Sequence, residues 1–194
     1  MLLKTFAATV YGIDATIITI EVTVSAGAKI HLVGLPDNAV KESNIRIESA
    51  LKNNRHKIPG KKIIINMAPA DMKKEGSAYD LGIAMGIIGA SEQIKSDKFK
   101  NYIMMGELSL DGTLQPIKGA LPIAIKARDD GFKGIILPKL NATEAAIVDG
   151  LDVIGAENIR EVINFLTGEK DIEPTKFNTR EQFYKSLDNN KFDF

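Results

Sequence analysis

Ile63-Ile64-Ile65-Asn66-Met67 is an apolar run, residues 68–78 (Ala-Pro-Ala-Asp-Met-Lys-Lys-Glu-Gly-Ser-Ala) are a polar loop, and Tyr79-Asp80-Leu81-Gly82-Ile83-Ala84-Met85-Gly86-Ile87-Ile88-Gly89-Ala90-Ser91 is apolar nearly all round. The first segment is short and β-branched, as a central strand covered on both faces should be. The third is long enough for a helix, and a helix without a polar side is buried. Its glycines, Gly82, Gly86 and Gly89, let neighbouring backbones approach closely. Strand, polar loop and buried helix in succession place the chain in the α/β class. The loop leads into a helix start, where free amides can hold an anion or activate a nucleophile.

Upstream, Phe6 to Tyr11 and Ala15 to Val24 alternate as strands do, with Ile18, Ile20, Val22 and Val24 on one face and Thr19, Glu21 and Thr23 on the other. Gly12-Ile13-Asp14 between them reads as a hairpin turn. Lys29 to Leu35 is a third strand, closed by Pro36. Val40, Asn44, Ile47 and Leu51 then recur at helical spacing, with Asp37 or Asn38 as the cap. Lys52, Arg55, His56 and Lys57 suit the negative end of that helix.

Downstream, Tyr102 to Leu108 reads as one strand, and Leu110-Asp111-Gly112-Thr113-Leu114 as a tight hairpin with the Asp-Gly signal of a type I′ turn. From Pro116 the pattern alternates: helix 119–130, strand 134–137, helix 141–149, strand 152–154, helix 157–166. Such alternation implies a parallel portion of sheet with helices packed on it. Composition changes at Gly168. The 27 residues from there to Phe194 hold 11 charged residues, only Ile172 and Leu187 as aliphatics, and five of the twelve aromatics: Phe177, Phe183, Tyr184, Phe192 and Phe194. Residues 1–167 therefore read as one domain and 168–194 as a linker with sticky points.

Over 194 residues, Lys plus Arg and Asp plus Glu both number 25. Zero net charge argues against a dedicated nucleic-acid or membrane-surface binder. Cysteine is absent, which excludes thiol catalysis, disulfides and Cys-based zinc sites and fits a reducing compartment. No apolar run approaches the roughly 20 residues of a transmembrane helix. Met1-Leu2-Leu3-Lys4-Thr5-Phe6 lacks the basic start and long apolar stretch of a signal peptide. A soluble cytoplasmic protein is the expectation.

Familiar catalytic signatures are missing. No segment fits Gly-x4-Gly-Lys-Ser/Thr: between Gly112 and Gly119, Lys118 precedes the second glycine and no hydroxyl residue follows. No Gly-x-Gly-x-x-Gly occurs. ATP hydrolysis by this chain alone is not expected, and no cofactor is. His31 and His56 lie in different elements, without the convergent partners of a metal site or a Ser-His-Asp triad.

Two blocks carry a resemblance. The segment from Ala68 to Met85 and the pair Asp111 to Leu121 and Gly134 to Asn141 resemble, in order and separation, the proteolytic domain of Lon, with its Lys-Asp-Gly-Pro-Ser-Ala-Gly, Pro-Ile-Gly-Gly-Leu-Lys and Ile-Leu-Pro…Asn elements. Ala8-Thr9-Val10-Tyr11-Gly12-Ile13-Asp14-Ala15, Val33 to Asp37, Asn66 to Asp71 and Tyr79-Asp80-Leu81 are still more similar to the N-terminal domain of the Mg-chelatase-like AAA+ ATPases, the YifB/ComM competence family. The likeness spans about residues 1–167. It implies an α/β fold like ribosomal protein S5 domain 2 and the Lon protease domain, a mixed sheet with helices mainly on one face. It also implies a full-length hexameric ATPase in DNA recombination, promoting branch migration during natural transformation. ATP and Mg2+ would bind a domain beyond this chain, and the tail would be the linker toward it. Partners would be that domain, sister subunits and DNA, and no membrane.

The protease chemistry does not carry over. In the register set by Gly82-Ile83-Ala84-Met85, the Lon serine position holds Asp80; in that set by Pro116-Ile117, the lysine position holds Leu121. A Ser–Lys dyad needs a hydroxyl beside a neutral amine, and neither is present. Ser77 and Lys118, three residues earlier in each block, are the alternative dyad of a residual peptidase. A free-standing interaction domain is a third reading. For Asp80 two roles stand: a cap on the first-turn amides of the 79–91 helix, or a pair with Lys73, Lys74 or Lys118 at the rim of the old site. Arg46, Lys52, Arg55, Lys57, Lys61 and Lys62, six cations within 17 residues, are the candidate DNA contacts, against a solvated helix face.

Overall fold

The computed structural model describes residues 1–179. Its strands are β1 (Leu2–Tyr11), β2 (Asp14–Ser25), β3 (Ile30–Val33), β4 (Lys62–Ala68), β5 (Tyr102–Met104), β6 (Glu107–Leu108), β7 (Leu114–Gln115), β8 (Gly134–Pro138) and β9 (Asp152–Ala156). Its helices are α1 (Asn38–Asn53), α2 (Asp80–Ala90), α3 (Ala120–Asp129), α4 (Lys139–Ala145) and α5 (Ile159–Thr167), with a short 3-10 turn at Asp97–Lys100. Seven strands form one mixed sheet in the order β3-β4-β2-β1-β5-β8-β9, and β6 and β7 make a separate hairpin.

β1 and β2 are the centre of that sheet, a hairpin closed at Tyr11↔Asp14 around Gly12 and Ile13. Gly12 sits at φ 63°, the left-handed conformation such a turn requires. Alternation sorts the side chains between two layers of helix. Thr5, Ala7, Ile18, Ile20 and Val22 are buried toward α2. Phe6, Ala8 and Val10 point the other way, where Phe132 at the end of α3 packs edge-on against Phe6 at 5.2 Å. The register carries this division across the sheet. Tyr102 lies on the α2 side and meets Phe165 of α5 at 5.3 Å, while Gly155 lies under α4. The helices therefore cover both faces rather than mainly one: α1, α2 and α5 on one side, α3 and α4 on the other.

α2 is as buried as its composition demands; every residue from Asp80 to Ala90 is in the interior. Its glycines are contact points. A Cβ on Gly82 would come within 2.9 Å of Ile20 Cδ1, one on Gly86 within 2.7 Å of Val22 Cγ2, and one on Gly89 within 2.3 Å of Leu3 Cδ2.

Two expectations change. The strand over Tyr102 to Leu108 is broken. After Met104 the chain leaves the sheet, because the Gly106 amide donates to Ala78 O at 2.9 Å and its carbonyl accepts from Leu81 N at 3.0 Å. The following hairpin is not type I′, since that turn needs positive φ at both central residues and here only Gly112, at 95°, has it. The connection is residues 109–113, pinned by Ser109 N to Thr113 O at 2.9 Å. α5 stops at Gly168, left-handed at φ 79°. Beyond it the chain lies on the domain: Thr175 N donates to Val153 O at 2.8 Å, and Ile172 and Phe177 pack on the core. Phe183, Tyr184, Leu187, Phe192 and Phe194 lie outside the described residues.

Gly86→Ala tests the close approach of α2. The added methyl meets a β-branched strand residue that has little room to turn. Overpacking of about 1–3 kcal/mol should exceed the helix-propensity gain of about 1 kcal/mol, so the midpoint of urea unfolding should fall.

Candidate functional site

The polar loop before α2 is held by residues from β3 and the start of α1. Gly34 closes β3 at φ 102°, so close to β4 that a Cβ would lie 2.1 Å from Met67 O. Asp37 then does two jobs. Its Oδ1 accepts from Val40 N at 2.8 Å, capping α1, and its Oδ2 accepts from Gly76 N at 3.0 Å. Backbone bonds run both ways between the segments, Lys74 N to Leu35 O at 3.1 Å and Asp37 N to Lys74 O at 2.9 Å. The cap expected at Asp37 or Asn38 is thus Asp37, and the same carboxylate fixes the approach to Ser77.

Lys74, expected only as one of three cations that could pair with Asp80, turns inward, which the sequence did not disclose. It is fully buried, and its ammonium donates to Gly34 O at 2.7 Å and to Pro69 O. Burial pulls its pKa down, and the Asp71 charge opposes it. Lysines are rarely buried without a charged partner, and nothing in Lys73-Lys74 tells which of the two turns inward. Lys73 points out and pairs with Glu75 at 2.6 Å.

Asp80 takes neither expected role. It is the first residue of α2, the preceding Tyr79 is the N-cap, and no side chain caps the helix. The Asp80 carboxylate turns toward α1 and receives Arg46 in a fork, Nε to Oδ2 at 2.7 Å and Nη2 to Oδ1 at 3.0 Å. It also accepts the Leu108 amide at 3.1 Å. Arg46 Nη2 reaches Ala39 O at 3.0 Å. Burial holds the Asp80 carboxyl above the usual aspartate range, against the opposing pull of the guanidinium and the Leu108 amide; the carboxylate holds the Arg46 pKa above its ordinary value. The fork geometry and the helix start both favour the ionised pair. So Asp80 pairs with Arg46, not with Lys73, Lys74 or Lys118, and Arg46 is withdrawn from the group of candidate DNA contacts. Lys52, Arg55, Lys57, Lys61 and Lys62 remain around the end of α1 and the start of β4, with no ion pair among the described residues. Arg55 is left-handed at φ 65°. Bonds from Arg55 N to Lys52 O and from His56 N to Leu51 O terminate the helix there, a position where glycine is usual.

A cleft of about 530 Å³ opens beside the loop, lined among others by Tyr11, Ser77, Tyr79, Glu107, Ile117 and Lys118. The alternative dyad, Ser77 and Lys118, thus shares one cleft, whereas Asp80 and Leu121 do not line it. The Ser77 hydroxyl donates to the Glu107 carboxylate. Lys118 has no hydrogen bond or ion pair among the described residues. Burial pushes the Tyr79 phenol up, so it stays a neutral hydroxyl. Leu121 lies in α3, where its amide donates to Glu144 at 3.1 Å. His31 and His56 are on β3 and after α1, and no group of three or more metal-ligating side chains occurs among the described residues. No helix among them is long and apolar enough to cross a membrane.

A family model described as subunit ChlI of Mg-chelatase matches residues 20–141. The chain belongs to this family. An uncharacterized protein YifB of Escherichia coli is 41% identical over 166 residues, 85% of this chain and 33% of its own length. Competence protein ComM of Haemophilus influenzae is 41% identical over 160 residues, 82% of this chain and 31% of its own. Lon protease 2 of Bacillus subtilis is 27% identical over 175 residues, 80% of this chain and 31% of its own. The chain spans about a third of the length of these curated relatives.

Lys74→Met should lower stability by roughly 1–3 kcal/mol, leaving two buried carbonyls without a donor. An unfolded lysine titrates near 10.4. Between the depressed folded pKa and that value unfolding takes up a proton, so the stability of the parent over the variant should rise with pH across that interval. Chemical denaturation at a series of alkaline pH values reads both effects.

Proposed function

We propose that this member of the ChlI family is the non-catalytic N-terminal module of a Mg-chelatase-like AAA+ ATPase acting in DNA recombination and branch migration during natural transformation. It serves assembly of the ring and contact with DNA or a protein partner, in the cytoplasm. ATP and Mg2+ belong to an ATPase domain outside this chain, in a hexamer. Support for the setting comes from the 41% identity to a competence protein and from relatives about three times as long as the matched segment.

The observation that carries the non-catalytic part is the Asp80–Arg46 fork. In the Lon register the nucleophile position holds a carboxylate already engaged by a guanidinium, and the amine position holds Leu121. Nucleophilic catalysis needs a hydroxyl with a base in reach; here the position supplies an ion pair that ties helices together. DNA contact draws support from Lys52, Arg55, Lys57, Lys61 and Lys62, which have no ion pair among the described residues. Arg55 occupies a backbone conformation that disfavours side chains by about 1–2 kcal/mol. Strain of that kind at an exposed cation is a reason to assign it a task.

One observation favours a second reading, a peptidase using Ser77 and Lys118: both line one cleft. Fluorogenic peptides separate the two. The parent protein should give no turnover above buffer, and turnover abolished by Ser77→Ala would establish the peptidase instead. For DNA, a low-salt gel shift should show retardation at micromolar protein, and charge reversal at Lys52, Lys57 and Lys61 should remove it. An unshifted probe would confine the module to protein contacts.

A further inference from the structure

β1 is paired along its whole length with β2, from Leu2↔Thr23 to Tyr11↔Asp14. On its other side β5 pairs with it only at Phe6↔Ile103. β5 ends at Met104, and Gly106 turns away to bond with Ala78 and Leu81. From Ala8 to Tyr11, then, no strand among the described residues pairs with this edge of the central strand, although Met105 covers it at Ala8, which is 1% exposed. Because Tyr11↔Asp14 closes the hairpin, Tyr11 and Thr9 bond to β2, and the peptide groups of Val10 and Ala8 point to the open side. The Ala8 amide confirms the direction, since it meets Met105 Sδ at 3.2 Å instead of a carbonyl. That open side is a wall of the cleft: Ala8, Thr9, Val10 and Tyr11 all line it.

We infer that the cleft is a docking site for an extended segment of a partner polypeptide, which adds to β1 along Ala8–Tyr11 in the lane that β5 vacates, displaces the Met105 side chain from the Ala8 amide, and sets an acidic side chain against Lys118. A bare strand edge takes an extended chain through main-chain hydrogen bonds, and pockets beside it select alternate side chains. Four residues of strand run about 13 Å, and the cleft volume falls in the usual range for ligand sites. The charges on the walls choose the sign. Glu75 is paired with Lys73 at 2.6 Å, Glu107 keeps its charge while accepting the neutral Ser77 hydroxyl, and Lys118 is the wall cation with no ion pair among the described residues, so an acidic group fits beside Lys118 and away from Glu107.

This inference deepens the reading of the chain as a contact module and rests on it. The test uses the whole 194-residue protein and a random octapeptide library displayed on phage. Enriched sequences should be β-prone and carry Asp or Glu. A synthetic copy should lose at least about tenfold in affinity against Lys118→Glu, as a charge-assisted bond of 1.5–3 kcal/mol implies. It should lose as much when N-methylated at alternate residues, or when Val10→Pro removes the open amide. Absence of enrichment, or peptides that bind Lys118→Glu and Val10→Pro as tightly as the parent, would overturn the docking site. Cleavage of a bound peptide would overturn the non-catalytic reading while leaving the docking site standing.

Discussion

The Arg46–Asp80 pair joins three elements that share no continuous backbone: α1 through Arg46, α2 through Asp80, and the β6–β7 hairpin through the Leu108 amide. Both carboxylate oxygens are occupied, and the Asp80 side chain is 1% exposed against 21% for Arg46. A buried charge is tolerated when its partner and hydrogen bonds are complete, and a one-sided loss strands the other charge. In the proposed non-catalytic reading, this pair occupies the position that corresponds to the Lon serine. A carboxylate in the first turn of a helix is favoured by the dipole, and this one accepts three hydrogen bonds from Arg46 and Leu108 and does not line the cleft. The charge at the helix start has been turned inward, into packing.

A second set of buried polar contacts supports the first. Asp37 bonds to both α1 and the loop, and Lys74 joins Gly34 to Pro69. These bonds hold residues 34–37 against 74–76 and so present Ser77 on the cleft wall. The cleft itself follows from a backbone decision: Gly106 bonds with the start of α2, so β5 is short and, among the described residues, no strand pairs with the neighbouring edge of β1 beyond Phe6. Site and cleft thus depend on where main-chain groups find partners, which is the accounting that governs any buried backbone.

Periodicity made much of the fold legible. Alternation over Ala15 to Val24 gave the correct buried face, the all-apolar segment 79–91 gave α2, and helix–strand alternation after Pro116 gave the parallel half of the sheet. The family resemblance, resting on blocks such as Val33 to Asp37 and Asn66 to Asp71, held in the match to the ChlI family. What stayed hidden depends on contacts distant in sequence. Arg46 and Asp80 are 34 positions apart and Lys74 and Gly34 are 40 apart; no local pattern says that either pair meets. Arg46 looked like one of six surface cations because its chemistry is the same in either setting. The strand over Tyr102 to Leu108 was misjudged for a similar reason: its residues suit a strand, and only the bonds from Gly106 to Ala78 and Leu81 divert it. The layering of helices on both faces likewise follows from register, which composition does not encode.

The most direct test of the account is a double-mutant cycle on Arg46→Met and Asp80→Leu, read by chemical denaturation. A pair that is the shared anchor of three elements should show each single change destabilising by about 3–5 kcal/mol, with the double variant recovering much of that loss. Single effects that simply add, within about 0.5 kcal/mol, would contradict the claim that the carboxylate at the helix start is there to hold Arg46.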